Sequence, residues 1–367
     1  MGDVERMRRA IDLALLGEGL VSPNPLVGAV VVDAHGVVVG EGSHRRAGEA
    51  HAEPIALAAA GERAHGATLY CTLEPCAHFG RTPPCVDAIV AAGITRVVVA
   101  ARDPNPVVDG RGIGRLRALG IEVTEGVLRE EAEALNRAFA RHVRSGLPYV
   151  TWKVAASLDG KMAAADGTSR WITGDAARAD VHRLRAASDA ILVGAGTALA
   201  DDPSLTVRHP GYAGDPVLRV LVDARGRVPS TGHLFDDAAP TLVATTPEAP
   251  ASSRDAWRRA GAEVVEFAAT PGGGVRLPDL AAHLGKRDVQ SVLLECGPTL
   301  GWAMVEADLV DRVVLYMAPL LLGGTSAPGV LGGVGFAPVG EGRRLVLDEV
   351  RRIGDDVRVE AHVHRDR

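Results

Sequence analysis

The chain has 367 residues, which exceeds one ordinary hydrophobic core and predicts two domains. Its content of 47% hydrophobic and 23% charged residues is typical of a folded globular protein and excludes a disordered chain. A formal net charge of −6, with basic residues in short runs interleaved with acids, argues against nucleic-acid binding.

The first half alternates helical and strand-like segments. We predict helices over residues 4–16, 52–64, 86–92 and 129–143, and strands over residues 27–32, 67–72, 96–101 and 121–124. Strands separated by helices predict a largely parallel sheet in a layered α/β domain.

Gly146 and Pro148 interrupt the last of these helices before a new strand begins. We therefore divide the chain into a domain of residues 1–146 and a domain of residues 147–367. The second domain is also α/β, with a glycine-rich stretch at residues 323–335. Its buried strands are predicted over residues 149–155, 190–194, 218–223, 241–245, 289–295 and 312–317.

Several features favour a cytoplasmic protein. Residues 1–6 (MGDVER) have neither the basic region nor the apolar core of a secretion signal, and the apolar run of residues 27–32 is too short to cross a bilayer. The chain has four cysteines, and two of them follow a His-x-Glu sequence, which favours metal ligands in a reducing compartment. We expect a cytoplasmic enzyme with no membrane partner.

A candidate metal site lies in the first domain. His51, Cys76 and Cys85 offer one imidazole and two thiols, and Glu53 adds a carboxylate. Three such ligands suit a tetrahedral zinc ion whose fourth position stays open, as in catalytic zinc sites. Because Glu53 is then free to carry protons to and from a water molecule, the set matches the signature of zinc deaminases acting on nucleobase-like rings. The pattern predicts hydrolytic removal of an amino group.

Two helix starts are predicted to bring these side chains together. Pro54 is tolerated only in the first turn of a helix, so the helix that carries His51 and Glu53 should begin there. Cys85 follows two prolines and precedes an apolar run, which places it at another helix N-terminus, where the dipole favours a thiolate. The alternative is a closed structural site with Cys71 as the fourth ligand, which leaves Glu53 without a role.

The spacing of the two cysteines differs from the general deaminase signature and is similar to that of one particular branch of deaminases. Eight residues separate Cys76 from Cys85, where the general pattern has two. With residues 22–29 (SPNPLVGA), 103–106 (DPNP) and 110–112 (GRG), this spacing closely resembles the pyrimidine deaminase of riboflavin biosynthesis. The resemblance covers the whole chain, because in bacterial proteins that deaminase is fused to a reductase.

The resemblance implies a role for each residue of the metal site. His51, Cys76 and Cys85 would bind zinc, and Glu53 would be the catalytic residue that accepts a proton from water and passes it to the leaving ammonia. The first domain would have the layered α/β/α fold of cytidine deaminases.

Substrate contacts are implied as well. Asn24 would contact the pyrimidine ring, and His44, His78, Arg81 and Asn105 would contact the substrate and its phosphate. A cation at Arg81, beside the zinc loop, suits a phosphorylated substrate. Each of these polar residues could instead be an ordinary turn or surface residue, above all His44 and Asn105.

The second domain has weaker signals of its own. It lacks Gly-x-Gly-x-x-Gly after a first strand, so an ordinary Rossmann site is not supported. Residues 194–197 (GAGT) and 295–300 (ECGPTL) each follow a predicted strand and precede a helix, where free N–H groups can hold a phosphate. The first segment could equally be an ordinary tight turn, and Cys296 is most simply a small buried residue.

Longer motifs in this domain resemble the reductase of the same pathway. They are residues 153–161 (KVAASLDGK), 169–173 (SRWIT), 196–197 (GT) and 200–208 (ADDPSLTVR). The resemblance implies a dihydrofolate-reductase-like α/β fold and NADPH as cofactor. The implied cofactor contacts are Ala155, Trp171, Thr197, Asp201 and the turn of Gly297, Pro298, Thr299, Leu300 and Gly301. The implied substrate contacts are Lys153, Ser169, Arg185, Leu205, Arg208 and Glu295.

Four charged residues of this set have a chemical rationale. Arg185 and Arg208 could clamp a phosphate bidentately, which lysine would do less directionally. The implied reaction is hydride delivery to C1 of an open-chain ribosylamine, and either Lys153 or Glu295 could manage the accompanying proton.

Two of the implied cofactor contacts could have a purely structural role, and one further position differs from the family pattern. Trp171 could be only a core anchor, and Asp201 only a helix or turn cap. Ala224 departs from the family pattern, which often has serine there.

These observations predict a bifunctional enzyme that makes a riboflavin precursor. We expect it to deaminate a phosphoribosylated diaminopyrimidinone, to reduce the sugar with NADPH, and to form a homo-oligomer through the reductase domain. A deaminase for a free base or nucleoside is one alternative, against which Arg81, Arg185 and Arg208 argue. Another is a zinc-stabilised regulatory protein whose second domain senses a nucleotide, which would have no need of Glu53.

Overall fold

The computed structural model describes residues 2–79, 83–106 and 108–364 of the chain. The chain divides into two compact units, Met1–Gly146 and Leu147–Arg367, and each contains its own β-sheet. No helix within the described ranges is long and apolar enough to cross a membrane.

The first unit is built around a five-stranded sheet in the order β2-β1-β3-β4-β5. Its strands are β1 (Gly28–Val32), β2 (Val38–Ser43), β3 (Thr68–Leu73), β4 (Arg96–Ala101) and β5 (Glu122–Glu125). Its helices are α1 (Asp3–Ala14), α2 (Ala52–Ala60), α3 (Cys85–Ala91), α4 (Arg111–Ala118), α5 (Arg129–Leu135) and α6 (Arg137–Ser145). Because β1, β3 and β4 are buried along almost their whole length, they form the centre of the unit's hydrophobic core.

The prediction of a largely parallel sheet is wrong for this unit. β1 runs antiparallel to both β2 and β3, whereas β3, β4 and β5 are mutually parallel. The sequence analysis missed β2 because its glycines lower strand propensity. A Cβ on Gly40 would lie 2.1 Å from the carbonyl oxygen of Ala56, and one on Gly42 would lie 2.1 Å from that of Ala52. The glycines therefore let α2 pack directly on the strand.

The helix predicted over residues 129–143 is in fact two helices, α5 and α6, which meet at Asn136. The Asn136 side chain is buried; its Oδ1 accepts the N–H of Leu26 at 2.8 Å, and its Nδ2 donates to the Leu26 carbonyl at 2.9 Å. This paired contact holds the loop that carries Asn24, just before β1.

The second unit contains a nine-stranded sheet in the order β10-β9-β8-β7-β11-β6-β12-β14-β13. Its strands are β6 (Tyr149–Ser157), β7 (Ala190–Gly194), β8 (Leu218–Val222), β9 (Thr241–Thr245), β10 (Glu263–Glu266), β11 (Ser291–Leu294), β12 (Arg312–Ala318), β13 (Leu345–Ile353) and β14 (Asp356–Val363). Its helices are α7 (Asp175–Ala186), α8 (Ala195–Asp201), α9 (Ala251–Arg259), α10 (Leu277–Gly285) and α11 (Pro298–Glu306).

The α/β class predicted for this domain is confirmed, and its sheet is largely parallel. All neighbours from β10 to β12 are parallel, and the antiparallel hairpin β13–β14 extends the sheet beyond β12. The sequence analysis missed β10, β13 and β14. β13 is exposed along most of its length, so its sequence lacks the alternation that identifies a half-buried strand.

Candidate active sites

The helix starts in the first unit place the metal-site residues as predicted. His51 is the N-cap residue of α2, and Glu53 lies in the first turn of that helix. Cys85 is the first residue of α3, and Cys76 lies in the loop after β3. Both predicted helix starts are therefore confirmed.

The ligand atoms of His51, Cys76 and Cys85 lie within 4.8 Å of one another. The His51 Nδ1 atom is 3.2 Å from Cys85 Sγ and 3.8 Å from Cys76 Sγ. Tetrahedral zinc with ordinary Zn–N and Zn–S bonds separates such atoms by about 3.6 Å. The hydrogen bond shared by the two thiols lowers the pKa of Cys76 and raises that of Cys85, so the metal-free pair favours one thiolate, at Cys76, and zinc would require Cys85 to ionise as well. The donor set fits zinc in both geometry and chemistry.

Glu53 lies buried beside these ligands, with a side chain that is only 3% exposed. Its Oε2 atom has no hydrogen-bond partner among the residues that the structure describes. Burial raises the pKa of this carboxyl group. An unsatisfied buried carboxylate oxygen is costly in a purely structural site, and it is what a bound water or substrate would satisfy.

The alternative of a structural zinc site closed by Cys71 is not supported. Cys71 lies in β3, fully buried, and its Sγ contacts the carbonyl oxygen of Val98 at 3.7 Å. Burial raises the pKa of its thiol. Cys71 therefore packs in the core as an uncharged thiol, apart from the three metal-site residues.

Asn24 and His44 meet at the edge of this site. His44 Nδ1 lies 3.0 Å from the carbonyl oxygen of Ala50, and its Nε2 lies 3.0 Å from Asn24 Nδ2. Because a carbonyl oxygen only accepts, Nδ1 carries the proton and Nε2 accepts from Asn24, which leaves the Asn24 oxygen for another partner. His44 is 2% exposed, and its ring lies 5.5 Å from that of His51. The alternative of His44 as a surface residue is wrong.

Two other predicted substrate residues of this unit, His78 and Asn105, lie on the loops that follow β3 and β4. His78 is exposed, in the loop that carries Cys76, and Asn105 is half-buried in the loop after β4. Arg81 lies outside the described residues. The Asn105 N–H donates to Asp103 Oδ1 at 2.8 Å. Burial and the nearby Glu74 raise the pKa of Asp103 to about 6.

The second unit contains a cavity of about 1020 Å³. Residues that follow β7, β8 and β11 line it, which is the edge where parallel sheets bind ligands. The predicted cofactor residues that line it are Ala155, Trp171, Thr197, Asp201, Gly297, Pro298, Thr299 and Leu300. The predicted substrate residues that line it are Lys153, Ser169, Arg185, Leu205, Arg208 and Glu295. Gly301 instead packs inside α11, where a Cβ would lie 3.0 Å from Trp152 Cζ2.

The structure contradicts the prediction of Arg185 as half of a bidentate phosphate clamp. Its Nε and Nη2 atoms donate to the two oxygens of Glu295 at 2.6 and 3.0 Å, and its Nη1 donates to the Thr206 carbonyl at 3.2 Å. Lys153 Nζ lies 3.9 Å from Glu295. Burial alone would raise the pKa of Glu295, but Arg185 and Lys153 lower it to about 2. The guanidinium fork is therefore occupied by a carboxylate that is ionised at neutral pH.

Arg208 differs from Arg185 in that it is exposed at the cavity wall. Its Nη1 donates to Thr206 Oγ1 at 3.0 Å, and its backbone N–H donates to His182 Nδ1 at 3.2 Å. Burial, Arg185 and Arg208 lower the pKa of His182 to about 4, so that ring is neutral. The bond to Thr206 uses one donor of the exposed Arg208 guanidinium, which leaves other donors available to bind an anion.

The position of Trp171 contradicts its alternative, and Asp201 lies at a helix end beside an arginine. Trp171 is 70% exposed, and the guanidinium of Arg178 lies 4.5 Å from its ring centroid, so it is not a core anchor. Asp201 is the last residue of α8, and its carboxylate lies 3.8 Å from Arg170 Nε. Both side chains border the cavity.

Two family models match the chain. The cytidine and deoxycytidylate deaminase zinc-binding region matches residues 2–101, and the RibD C-terminal domain matches residues 148–359. The riboflavin biosynthesis protein RibD of Bacillus amyloliquefaciens is 45% identical, over 97% of this chain and 95% of its own. That of Escherichia coli is 44% identical, over 97% of this chain and 98% of its own. The chain belongs to the RibD family.

Solved structures of RibD family members agree with this assignment. Acinetobacter baumannii RibD has a TM-score of 0.87 and 39% identity, with 99% of each chain covered. A Thermotoga maritima diaminohydroxyphosphoribosylaminopyrimidine deaminase/5-amino-6-(5-phosphoribosylamino)uracil reductase has a TM-score of 0.86 and 36% identity, again with 99% of each chain covered. The predicted fold class and the predicted resemblance are confirmed.

As a RibD family member, the chain is a bifunctional deaminase and reductase of riboflavin biosynthesis. Its cofactors are zinc and NADPH. The metal-site triad fits zinc, as described above. The large cavity fits a dinucleotide, because the first turn of α11, whose free N–H groups suit a phosphate, lies in its wall.

Other cavity residues were missed by the sequence analysis. They include Arg178, His182, Arg225, Arg227 and the glycines at positions 272–274. Arg225 and Arg227 follow a predicted strand, and that position was the only sequence feature that could have placed them at the cavity. They lie in the segment where Ala224 departs from the family pattern. Glu74, two residues before Cys76, received no role in the sequence analysis, and its contacts are described below.

Proposed function

We propose that the unit of residues 1–146 deaminates 2,5-diamino-6-(5-phosphoribosylamino)pyrimidin-4(3H)-one. The unit of residues 147–367 would then reduce the ribosyl group with NADPH and give 5-amino-6-(5-phosphoribitylamino)uracil. The unpartnered, buried Oε2 of Glu53 beside the ligand triad is the observation that carries the proposal. The activity of the similar Thermotoga maritima protein supports the choice of substrate.

In the deaminase unit, His51, Cys76 and Cys85 would hold zinc. Zinc, when bound there, supplies Lewis-acid activation of water. Glu53 accepts a proton from that water and delivers one to the departing amino nitrogen, so that the ring carbon gains oxygen and ammonia leaves. Asn24 contacts the ring through the oxygen that His44 leaves free. His44 orients the Asn24 amide, and His78, Arg81 and Asn105 would complete the contacts to the substrate and its phosphate.

In the reductase unit, NADPH, when bound in the cavity, supplies a hydride. The first turn of α11, with Gly297, would hold a cofactor phosphate, and Trp171 and Thr197 would contact the same cofactor. Reduction by that hydride would occur at C1 of the open-chain sugar imine, whose nitrogen would take up a proton. Glu295 is ionised, so Lys153 is the better donor of that proton.

A deaminase for an unphosphorylated base or nucleoside is the competing function. Arg208, an exposed arginine in the lining of the reductase cavity, favours a phosphorylated substrate. The decisive experiment incubates the full chain with the phosphorylated diaminopyrimidinone, with and without NADPH, and measures ammonia and ribityl product separately. We expect ammonia in both reactions and ribityl product only with NADPH. Faster ammonia release from a free base or nucleoside would overturn the proposal.

Arg208→Ala is expected to raise the KM of the reductase for the phosphorylated intermediate roughly 10- to 100-fold, because a charge-assisted hydrogen bond to phosphate is lost. The KM for NADPH should change little. Steady-state kinetics with 5-amino-6-(5-phosphoribosylamino)uracil provide the measurement. Arg287→Ala, which removes an arginine paired with Glu263 away from the cavity, is the matched control. A variant with altered NADPH affinity and normal substrate affinity would contradict this role.

We propose that the reductase unit pairs with a second copy of the chain through β13. This strand ends the sheet order, and Leu345, Val346, Leu347 and Val350 along it are between 41% and 65% exposed. An exposed apolar edge strand is a template for pairing, and antiparallel pairing with the same strand of a second copy closes a twofold dimer.

Sedimentation velocity of Leu347→Lys tests the dimer. We expect the unsubstituted protein to be a dimer and the variant, which places a charge on the shared edge, to be a monomer. Leu119→Lys, at an exposed apolar position in the first unit, should remain a dimer. A dimeric Leu347→Lys protein would refute the β13 interface.

The four cysteines also support a reducing compartment. Cys71, Cys76, Cys85 and Cys296 all carry free thiols. Disulfides form in oxidising compartments, and a thiolate metal site needs its cysteines reduced. We propose that the protein acts in the cytoplasm.

A further inference from the structure

Glu74 is a buried carboxylate that joins two loops of the deaminase unit. Glu74 precedes Cys76 by two positions in the sequence and is 3% exposed. Its Oε2 accepts the backbone N–H groups of Asp103 at 3.3 Å and Gly110 at 2.9 Å. Its Oε1 accepts those of Gly112 at 2.9 Å and Ile113 at 3.1 Å. Four main-chain donors thus satisfy a charge that would otherwise be costly to bury.

All four donors come from the segment that follows β4 and begins α4. The contacts of this segment with Glu74 explain the Gly-Arg-Gly motif of residues 110–112, which has no role in either proposed reaction. Gly110 has a φ of +76°, a conformation that favours glycine. A Cβ on Gly112 would lie 1.9 Å from the carbonyl oxygen of Pro75 and 3.2 Å from Glu74 Oε1. The two glycines let this segment reach the carboxylate of Glu74.

The same segment carries Asn105, which the proposed function assigns to the substrate. Asp103 connects the two features, since its N–H donates to Glu74 and its Oδ1 accepts the N–H of Asn105. The loop before Cys76 and the loop of Asn105 are therefore one hydrogen-bonded unit, with Glu74 at its centre.

We propose that Glu74 is a positioning residue of the deaminase, which holds the Asn105 loop in the geometry that binds substrate. The inference rests on the proposed deaminase function. Glu74 sets the affinity for the substrate and leaves zinc binding to His51, Cys76 and Cys85. A displacement of a binding loop by about 1 Å costs as much as a hundredfold in catalytic efficiency, which makes the effect measurable.

Glu74→Gln tests the inference in the full chain. Glutamine keeps the shape of the side chain, but its amide nitrogen opposes one pair of N–H donors instead of accepting from them. We expect the KM for the diaminopyrimidinone to rise at least about tenfold, with kcat changed far less. Zinc content should stay at that of the unsubstituted protein, and the reductase should act normally on supplied 5-amino-6-(5-phosphoribosylamino)uracil.

A second pair of variants keeps the test independent of folding defects at Glu74. Gly112→Ala pushes the same segment away from Pro75 and should raise the same KM. Gly114→Ala, in the same helix, is the matched control, because a Cβ there meets nothing within 4 Å. It should leave both KM and kcat unchanged.

The outcomes separate this inference from the proposed function. A normal KM in Glu74→Gln and Gly112→Ala, with normal turnover by the unsubstituted protein, overturns the inference alone. Loss of zinc with an unchanged KM also overturns it, because Glu74 would then support Cys76 only. If the unsubstituted protein releases no ammonia from the diaminopyrimidinone, the proposed function fails and the inference fails with it.

Discussion

Glu53→Gln is expected to leave zinc bound and to slow ammonia release roughly 10²- to 10⁴-fold, the usual contribution of a general acid–base group. Glutamine matches the shape of Glu53 but cannot accept a proton from water. Metal content should be unaffected, because His51, Cys76 and Cys85 form the ligand set without it. The measurement is ammonia release from the diaminopyrimidinone, together with zinc analysis of the purified variant.

Two controls make this result specific to Glu53. Glu62→Gln changes an exposed glutamate just after α2 and should leave deamination normal. The reductase of the Glu53 variant should also remain active on supplied deaminated substrate. Near-normal ammonia release by the Glu53 variant would refute its role as the catalytic proton carrier.

Glu295→Ala is expected to lower the free energy of unfolding by about 3–5 kcal/mol and to abolish the reductase. The reason is Arg185, which is only 11% exposed at its side chain and would remain as an uncompensated buried charge. Urea denaturation of the full chain measures the stability, and reduction of supplied intermediate measures the activity.

A double variant separates stability from catalysis at this pair. Arg185→Met combined with Glu295→Leu removes both charges, and apolar replacement of a buried ion pair is often neutral or stabilising. We expect most of the lost stability to return while the reductase stays inactive. Recovery of reductase activity in the double variant would show that the pair has a structural role alone.

The contribution of the Arg185–Glu295 pair to the free energy of unfolding depends on pH. The pKa of Glu295 falls from 4.5 to about 2 in the folded chain. A lowered pKa stabilises the folded state above pH 4.5, and this stabilisation decreases as the pH falls toward 2. The double variant should lack that part of the acid dependence.

Much of the zinc site could be predicted because its signals are local in the chain. Pro54 and the prolines before Cys85 mark helix starts, and the residue types of His51, Cys76 and Cys85 match the ligand preferences of zinc. The reductase cavity was predicted by comparison with known motifs, and its residues converge because the carboxyl ends of parallel strands share one edge.

The contacts that changed the interpretation join residues far apart in the chain. Arg185 and Glu295 are 110 positions apart, and Glu74 and Gly112 are 38 apart. A sequence records that an arginine or a carboxylate is present, but its partner depends on which strands and helices become neighbours. Arg185 was therefore assigned to a phosphate when its partner is Glu295, and β2 was missed although its glycines fit α2.

Residue type, helix starts and cysteine spacing thus identify the chemistry of this chain before it is folded, because zinc ligation and proton transfer require particular atoms. Packing assigns those atoms their partners. It buries Glu53 with one carboxylate oxygen that has no hydrogen-bond partner among the described residues. It pairs the guanidinium of Arg185 with Glu295, and it places Glu74 among four backbone amides. The physical reason is that burial and hydrogen-bond pairing depend on segments that are distant in the sequence and meet only in the folded chain.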